Sequence, residues 1–435
     1  MKKSDFLDRL FDLSGRNTSV KTEVFAGITT FMTIAYILAV IPGNLSETGI
    51  PRGAVFTATI ISTIFATLIA GLYANLPFVF STLLGFDSFF VFSIVFGMGK
   101  SWQFALTSVL IAGIILTILT IFKVRITLSN VIPMNLKIAM VVGLGLFVTF
   151  IGLKNAGIVE AGGAILKIGD ITKPEALLAL FGIIVLSAMN YLKIKGSFLI
   201  TIIGSTVVAI VTGITSLPEN IVSLPPSFMP TAFKFVGTEE IFTTDMAVCV
   251  FVFIFMSIFN NIGTVTGLSI KAGLTDENNE AKDMNKSFLV DSLGTIVAGC
   301  LGTSVVGTTL ETSAGIEEGG RTGLMAVTSA LMFVLALFFS PLFLIVPSAA
   351  ITPVLVTVGL SMTSAVKAID FDNITEAIPA FLTFIIIPLT YSIADGIMIG
   401  ILSYVVLNII TGKFKQISLP MYAMGILSLV KMLFL

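Results

Sequence analysis

Apolar stretches recur along almost the whole chain, separated by short polar connections, and many approach the 20 or so residues that a bilayer-crossing helix needs. This pattern predicts an all-α polytopic membrane protein of about fourteen transmembrane segments. The first seven lie at 23–42, 53–76, 78–98, 102–122, 136–155, 174–192 and 197–214. After a polar connection, the second seven lie at 244–270, 287–301, 303–320, 322–343, 352–361, 374–393 and 396–411. Ahead of them, Phe6, Leu7, Leu10, Phe11 and Leu13 interleave with charged residues, the pattern of a short helix on the membrane surface. A last apolar piece, 422–435, reads as an interfacial helix.

The third and tenth spans break the pattern. Thr303 to Gly320 is too rich in Gly, Ser and Thr for an ordinary span, and it sets Glu311 at membrane depth. A charge at a helix centre there costs roughly 2.5–3.5 kcal/mol on insertion scales, so it faces a partner or a wet cavity. The half before Leu310 reads as extended backbone and the half after it as helix. A half-helix would thus open in mid-membrane on Glu311-Thr312. In the third span an extended piece, Phe80 to Gly85, leads into a helix opening on Asp87-Ser88. Seven is odd, so two halves of seven spans are inverted repeats, and the two acid–hydroxyl pairs would face each other across a small site. Plain capping is the competing reading, but Ser or Thr would cap at lower cost than a buried carboxylate.

Other polar positions are weaker. In the eighth span Asn260 and Thr264 stand four apart on one helix face, with Asn261 and Gly263 beside them, a pattern shared by ligand walls and polar helix packing. The stripe Thr29, Thr30, Thr33 and Tyr36 reads as packing, Asp291 as support for a neighbour, and Asp276 to Lys286 as a solvated loop.

Composition narrows the chemistry. Of 435 residues 56% are hydrophobic and 11% charged, which excludes a soluble globular protein and leaves no room for a soluble domain. Histidine is absent, removing the commonest metal ligand and the usual near-neutral proton shuttle, so proton coupling would fall to carboxylates. Cys249 and Cys300 both sit in apolar segments and imply no disulfide framework. No cofactor, metal or nucleic-acid partner is called for. Lys and Arg concentrate on the side of the N-terminus, for example at Arg16, Lys21, Lys123, Arg125, Lys137, Lys193 and Lys271. That bias places both termini in the cytoplasm of a multi-pass cell-membrane protein.

At these residues the sequence resembles the nucleobase–ascorbate transporter superfamily, in its adenine/guanine/hypoxanthine permease branch. The resemblance covers nearly the whole chain. It is carried by Phe25 through Ile37, Gly71 through Pro77, Ser101-Trp102-Gln103, Gly143 through Gly157, Thr308 through Gly315, Gly319 through Leu324, and Pro388 through Ile393. It implies a cytoplasmic amphipathic start (1–22), a core domain in two parts (23–122 and 244–347) and a gate domain in two parts (123–243 and 348–435). It further implies a base held between the third and tenth spans, with Glu311 accepting hydrogen bonds from ring N–H groups, and acids on the eighth and tenth spans coupling uptake to protons. Two departures stand out. The eighth span has Phe259-Asn260-Asn261 where the branch has Phe-Asp-Thr, and the third has Asp87-Ser88 where it has Asn-Ala.

The expectation is a non-enzymatic secondary transporter importing a purine nucleobase by proton symport. Glu311, Asp87, Asn260, Thr264, Ser88 and Thr312 would bind the base, Phe86 and Phe259 would lie against its faces, and Glu311 and Asp87 would handle the proton. Alternatives are another small heterocycle, Na+-coupled or uncoupled transport, and an anion carrier, the last disfavoured by acids at both half-helix starts. A homodimer in the bilayer is left open.

Overall fold

The computed structural model describes all residues except 1–2, 126–131, 163–164, 219, 276–280, 282, 391 and 435. Tyr391 and most of the Asp276 to Lys286 loop therefore lie outside the described residues. Among the described residues eight helices are long and apolar enough to cross a bilayer, and four more are shorter apolar helices. The surface helix is Lys3–Phe11. The first span is Val20–Ile34 followed by Ile37–Ser46, and the second is Arg52–Leu72. Spans four to seven are Trp102–Ile121, Met134–Asn155, Pro174–Tyr191 and Ser197–Val211. Spans eight and nine are Thr244–Ala272 and Met284–Leu301, and the eleventh is Gly323–Leu344. The twelfth to fourteenth are Ser348–Thr363, Ile374–Thr390 and Ile393–Ile410, and the closing helix is Leu419–Phe434. The twelfth runs longer than the sequence suggested, because Pro353 sits inside the helix instead of marking its start. A hairpin of β2 (Val159–Gly162) and β3 (Ile165–Ile168), between spans five and six, was not anticipated.

The third and tenth spans each begin as a strand. β1 (Phe80–Thr82) pairs antiparallel with β4 (Val306–Thr308) in the register Phe80↔Thr308, Ser81↔Gly307, Thr82↔Val306. Extended backbone at this depth needs every N–H and C=O satisfied within the protein. The outer edges of the two-stranded sheet are met by threonines. The Thr67 hydroxyl of the second span accepts from the Phe80 N–H and donates to the Phe80 C=O, both at 3.1 Å. The Thr295 hydroxyl of the ninth span treats Val306 in the same way, both at 3.2 Å. A hydroxyl suits this task because it is both donor and acceptor. The second and ninth spans occupy corresponding places in the two inverted halves.

Beyond the strands, the third span continues as the helix Leu84–Ser88 and then widens into π-type turns over Phe89–Gly97. The tenth continues as a tight turn, Leu310–Thr312, and a short helix, Ser313–Glu317. Both helices thus start earlier than the Asp87-Ser88 and Glu311-Thr312 openings expected from sequence. The first span is jointed at Ala35-Tyr36, where Leu38 N–H bonds the Ala35 carbonyl and Ala39 N–H the Tyr36 carbonyl, three residues back instead of four.

The helices pack in two groups. In one, the eleventh span lies on the first and second, and the ninth on the second and fourth, which also meets the eighth. In the other, the fifth lies on the twelfth and thirteenth, the twelfth on the sixth and seventh, and the thirteenth on the fourteenth. Each group has a glycine contact that admits no side chain. A Cβ at Gly323 would come 2.0 Å from the Gly71 carbonyl oxygen, and one at Gly359 2.4 Å from that of Gly145. Such close backbone approach is how small residues serve packing between membrane helices. Glu23, fully buried, accepts from the backbone N–H groups of Arg321, Thr322 and Met325 at 2.8–3.2 Å, so the eleventh helix starts on a carboxylate of the first span.

Behind β4 lies a buried polar network. Arg125, just past the fourth span, is fully buried and ion-pairs with Asp291 of the ninth. It also donates to the Ser257 hydroxyl at 2.8 Å and to the Phe288 carbonyl at 3.2 Å. Asn261 donates to Asp291, and its side-chain carbonyl accepts the Thr308 N–H of β4 at 3.1 Å. Asp291 thus reaches the strand through Asn261. Removing the cation leaves a carboxylate buried without its charge partner, a loss of about 3–5 kcal/mol. Arg125→Met should therefore lower the thermal unfolding temperature in detergent sharply, and the double variant with Asp291→Leu should recover much of the loss.

Candidate functional site

The two helix groups enclose between them a cavity of about 310 Å³. Tyr36 of the first span, Thr82 to Phe86 of the third, Phe259, Asn260 and Thr264 of the eighth, and Thr308 to Glu311 of the tenth line one side. The fifth and twelfth spans line the other. Of the residues singled out from sequence, Glu311, Asn260, Thr264, Phe86 and Phe259 come together here.

Asp87, Ser88 and Thr312 do not line the cavity, and the register of the half-helices explains why. Thr82 and Thr308 each end a strand, Leu83 and Thr309 are each extended, and Leu84 and Leu310 each open the helical turn. Glu311 therefore corresponds to Gly85, not to Asp87. Two further residues carry Asp87 about 200° around the helix, away from the cavity. Asp87 is fully buried against the first span, where the Asn44 amide donates to its Oδ2 at 2.8 Å, while its Oδ1 has no hydrogen-bond partner. Ser88 is buried beside it. The Thr312 hydroxyl accepts from the Val79 N–H at 3.2 Å and so ties the two broken spans together.

Glu311 sits in the first turn of its half-helix, after the extended Thr309. The Tyr36 hydroxyl donates to its Oε1 at 2.6 Å. Tyr36 is set by the joint of the first span and by Phe198 of the seventh, whose ring meets it edge-on at 5.2 Å. The sequence had placed Tyr36 in a packing stripe. For Thr30 and Thr33 that reading agrees with their bonds to carbonyls of their own helix, Ala26 and Thr29. Tyr36 stands apart because the joint turns it into the cavity.

Lys137 is the second residue whose place in the cavity the sequence did not show. The sequence marks it only as a charge at the cytoplasmic end of the fifth span; that helix begins at Met134, and Lys137 lies in its first turn. It lines the cavity, with its ammonium 5.2 Å from the centroid of the Phe259 ring. Phe259 packs on Phe255 at 4.4 Å and Phe86 lies roughly parallel to Phe253 at 6.5 Å, so both flat walls are backed by other rings.

Three polar atoms on this wall are buried without partners: Thr82 Oγ1, Thr308 Oγ1 and Asn260 Nδ2. Buried polar groups are nearly always hydrogen-bonded, so three on one wall point to a ligand or water among them. Together with the Glu311 carboxylate they surround a space whose remaining walls are aromatic and aliphatic. That combination suits a small planar molecule with polar edges, and the volume is at the lower end for ligand pockets.

Comparison with known proteins gives the same direction. A family model described as a permease family, that of the xanthine/uracil permeases, matches residues 21–399. The chain is 40% identical to the MJ0326 permease of Methanocaldococcus jannaschii, over 99% of each chain. It is 36% identical to the adenine permease AdeP of Escherichia coli, over 99% of this chain and 96% of that one. It is 35% identical to the guanine/hypoxanthine permease PbuG of Bacillus subtilis, over 98% and 99%. The fold resembles the transmembrane domain of the cyanobacterial bicarbonate transporter BicA, with a TM-score of 0.63 at 17% identity over 86% of this chain and 96% of that one. It also resembles the murine anion transporter Slc26a9, at 0.64 and 12%, over 95% and 72%. The match over most of the chain leads to one conclusion: this chain belongs to the nucleobase–ascorbate transporter superfamily, as a multi-pass membrane permease.

Proposed function

We propose that this permease imports a purine nucleobase by proton symport, binding the base in the cavity between the third and tenth spans. The observation that carries the reading is Glu311, an acceptor on the wall of a cavity with flat apolar sides, oriented by the Tyr36 hydroxyl at 2.6 Å. A purine offers N–H donors along one edge and two flat faces, which fits a carboxylate flanked by Phe86 and Phe259. The relatives named as adenine and guanine/hypoxanthine permeases support the same substrate class.

In this mechanism Glu311 holds the base by its N–H edge, with Asn260 and Thr264 completing the wall. Glu311 and Asp87 are the acids that couple transport to the proton, Asp87 from behind the cavity wall through its contact with Asn44. Spans one to four and eight to eleven act as the core, and the other six spans as the gate against which it moves. Alternating exposure of the site then follows from relative movement of two packed bodies, as in other inverted-repeat transporters.

Uptake of labelled hypoxanthine, guanine and adenine by cells lacking their own base transporters tests the proposal. Saturable uptake that collapses with the proton gradient is expected; no uptake of any of them sinks it. Glu311→Gln should abolish concentrative uptake. Tyr36→Phe removes one charge-assisted hydrogen bond, about 1.5–3 kcal/mol, and should lower kcat/KM by roughly tenfold or more. Asp87→Asn should flatten the pH dependence of uptake while leaving base binding largely intact; a variant matching the wild type across pH would remove Asp87 from the coupling.

A further inference from the structure

The two sides of the cavity differ in chemistry. The side built from spans one, three, eight and ten carries Tyr36, Asn260, Glu311 and several hydroxyls. The opposing side is Lys137, Met140, Val141, Leu144, Val358 and Met362, from the fifth and twelfth spans. Only Lys137 on that side is polar. Its ammonium rests near the face of Phe259, a residue of the other helix group, and among the described residues it is paired with no carboxylate. Lys137 stands in the first turn of its span, partly buried on an otherwise apolar wall, where an unneutralised cation is costly. A ring face satisfies an ammonium only in part, and its hydrogen-bonding capacity is met better by an acceptor.

Resting on the nucleobase reading above, we propose that Lys137 is the contact through which the bound base engages the second helix group. The base presents an N–H edge to Glu311 and an electron-rich edge, a ring carbonyl with its neighbouring ring nitrogen, to Lys137. Occupancy then links the two groups, drawing the fifth span toward the eighth and tenth; an empty cavity leaves Lys137 on Phe259. The ligand class follows: 6-oxopurines, which carry an N–H beside the carbonyl, satisfy Glu311 and Lys137 together. Adenine lacks the carbonyl and offers the lysine a weaker contact. Lys137 is thus a specificity-determining residue, and the polar link between the two groups is made by the substrate.

The test uses the full-length protein, purified for equilibrium binding of labelled guanine, hypoxanthine and adenine and reconstituted for exchange of the same bases. Wild type, Lys137→Gln and Lys137→Arg are compared, with thermal unfolding in the absence of base as the control for folding. The Gln variant should unfold like the wild type, lose about tenfold in affinity for guanine and hypoxanthine, lose less for adenine, and exchange more slowly even at saturating base. Arg should recover most of the loss. A correctly folded Gln variant that binds and exchanges guanine like the wild type overturns the proposal. Equal losses for guanine and adenine overturn the selectivity assigned to Lys137. A variant that unfolds early, without recovery by Arg, assigns Lys137 to structure and overturns it as well. A wild type that binds no purine fails earlier, at the nucleobase reading, and removes the proposal with it.

Discussion

Everything at the centre of this protein depends on two three-residue strands holding each other in a medium that offers no water. Neither could stand alone: extended backbone in a bilayer leaves N–H and C=O groups that only protein can satisfy. β1 and β4 meet each other's inner groups, and Thr67, Thr295 and Asn261 meet groups on the outer edges. That arrangement allows two half-helices to begin in mid-membrane. It sets Glu311 in the first turn after the strand, beside the cavity. The buried Arg125–Asp291 pair serves the same end one layer out, since Asp291 fixes the asparagine that holds the Thr308 N–H.

Much of this architecture was legible in the sequence because hydropathy is a local property. A helix that crosses lipid must be apolar along its length, whatever it packs against, so the spans appear without knowledge of the fold. The broken spans were legible for a related reason, since Gly, Ser and Thr around a buried acid have no place in a lipid-facing helix. Register was not legible. Asp87-Ser88 and Glu311-Thr312 look like a matched pair, but the helix starts are set by where the strands end, at Thr82 and Thr308, and strand ends depend on the partner strand. A shift of two residues was enough to turn Asp87 out of the cavity and to place Gly85 opposite the role of Glu311. Lys137 and Arg125 were hidden differently. Each lies beside a span end, where charges ordinarily meet water, and only the packing of neighbouring helices shows that one lines the cavity and the other is buried.

The division into two helix groups gives these local facts a mechanical sense. Within each group the backbones meet closely, at Gly71 with Gly323 and at Gly145 with Gly359, so each group behaves as a packed body. The cavity lies where the groups face each other, and there the fifth and twelfth spans present mostly aliphatic side chains such as Met140 and Met362. Methionine adapts its shape at low cost, which suits the relative movement proposed above. Rigid bodies with a compliant seam are what a carrier needs.

The pairing of β1 with β4 also bears on how the chain is made. Phe80 stands opposite Thr308 in the register of the two strands, and Thr308 is synthesised 228 residues after it (308 − 80). At about 5–20 residues per second, that interval lasts roughly 10–45 s on the ribosome. Throughout it the strand of the first repeat has one edge without its partner. The nascent third span must therefore wait in some other state, held back near the lipid headgroups or shielded by the insertion machinery. The centre of the protein is completed only when the strand of the second repeat arrives.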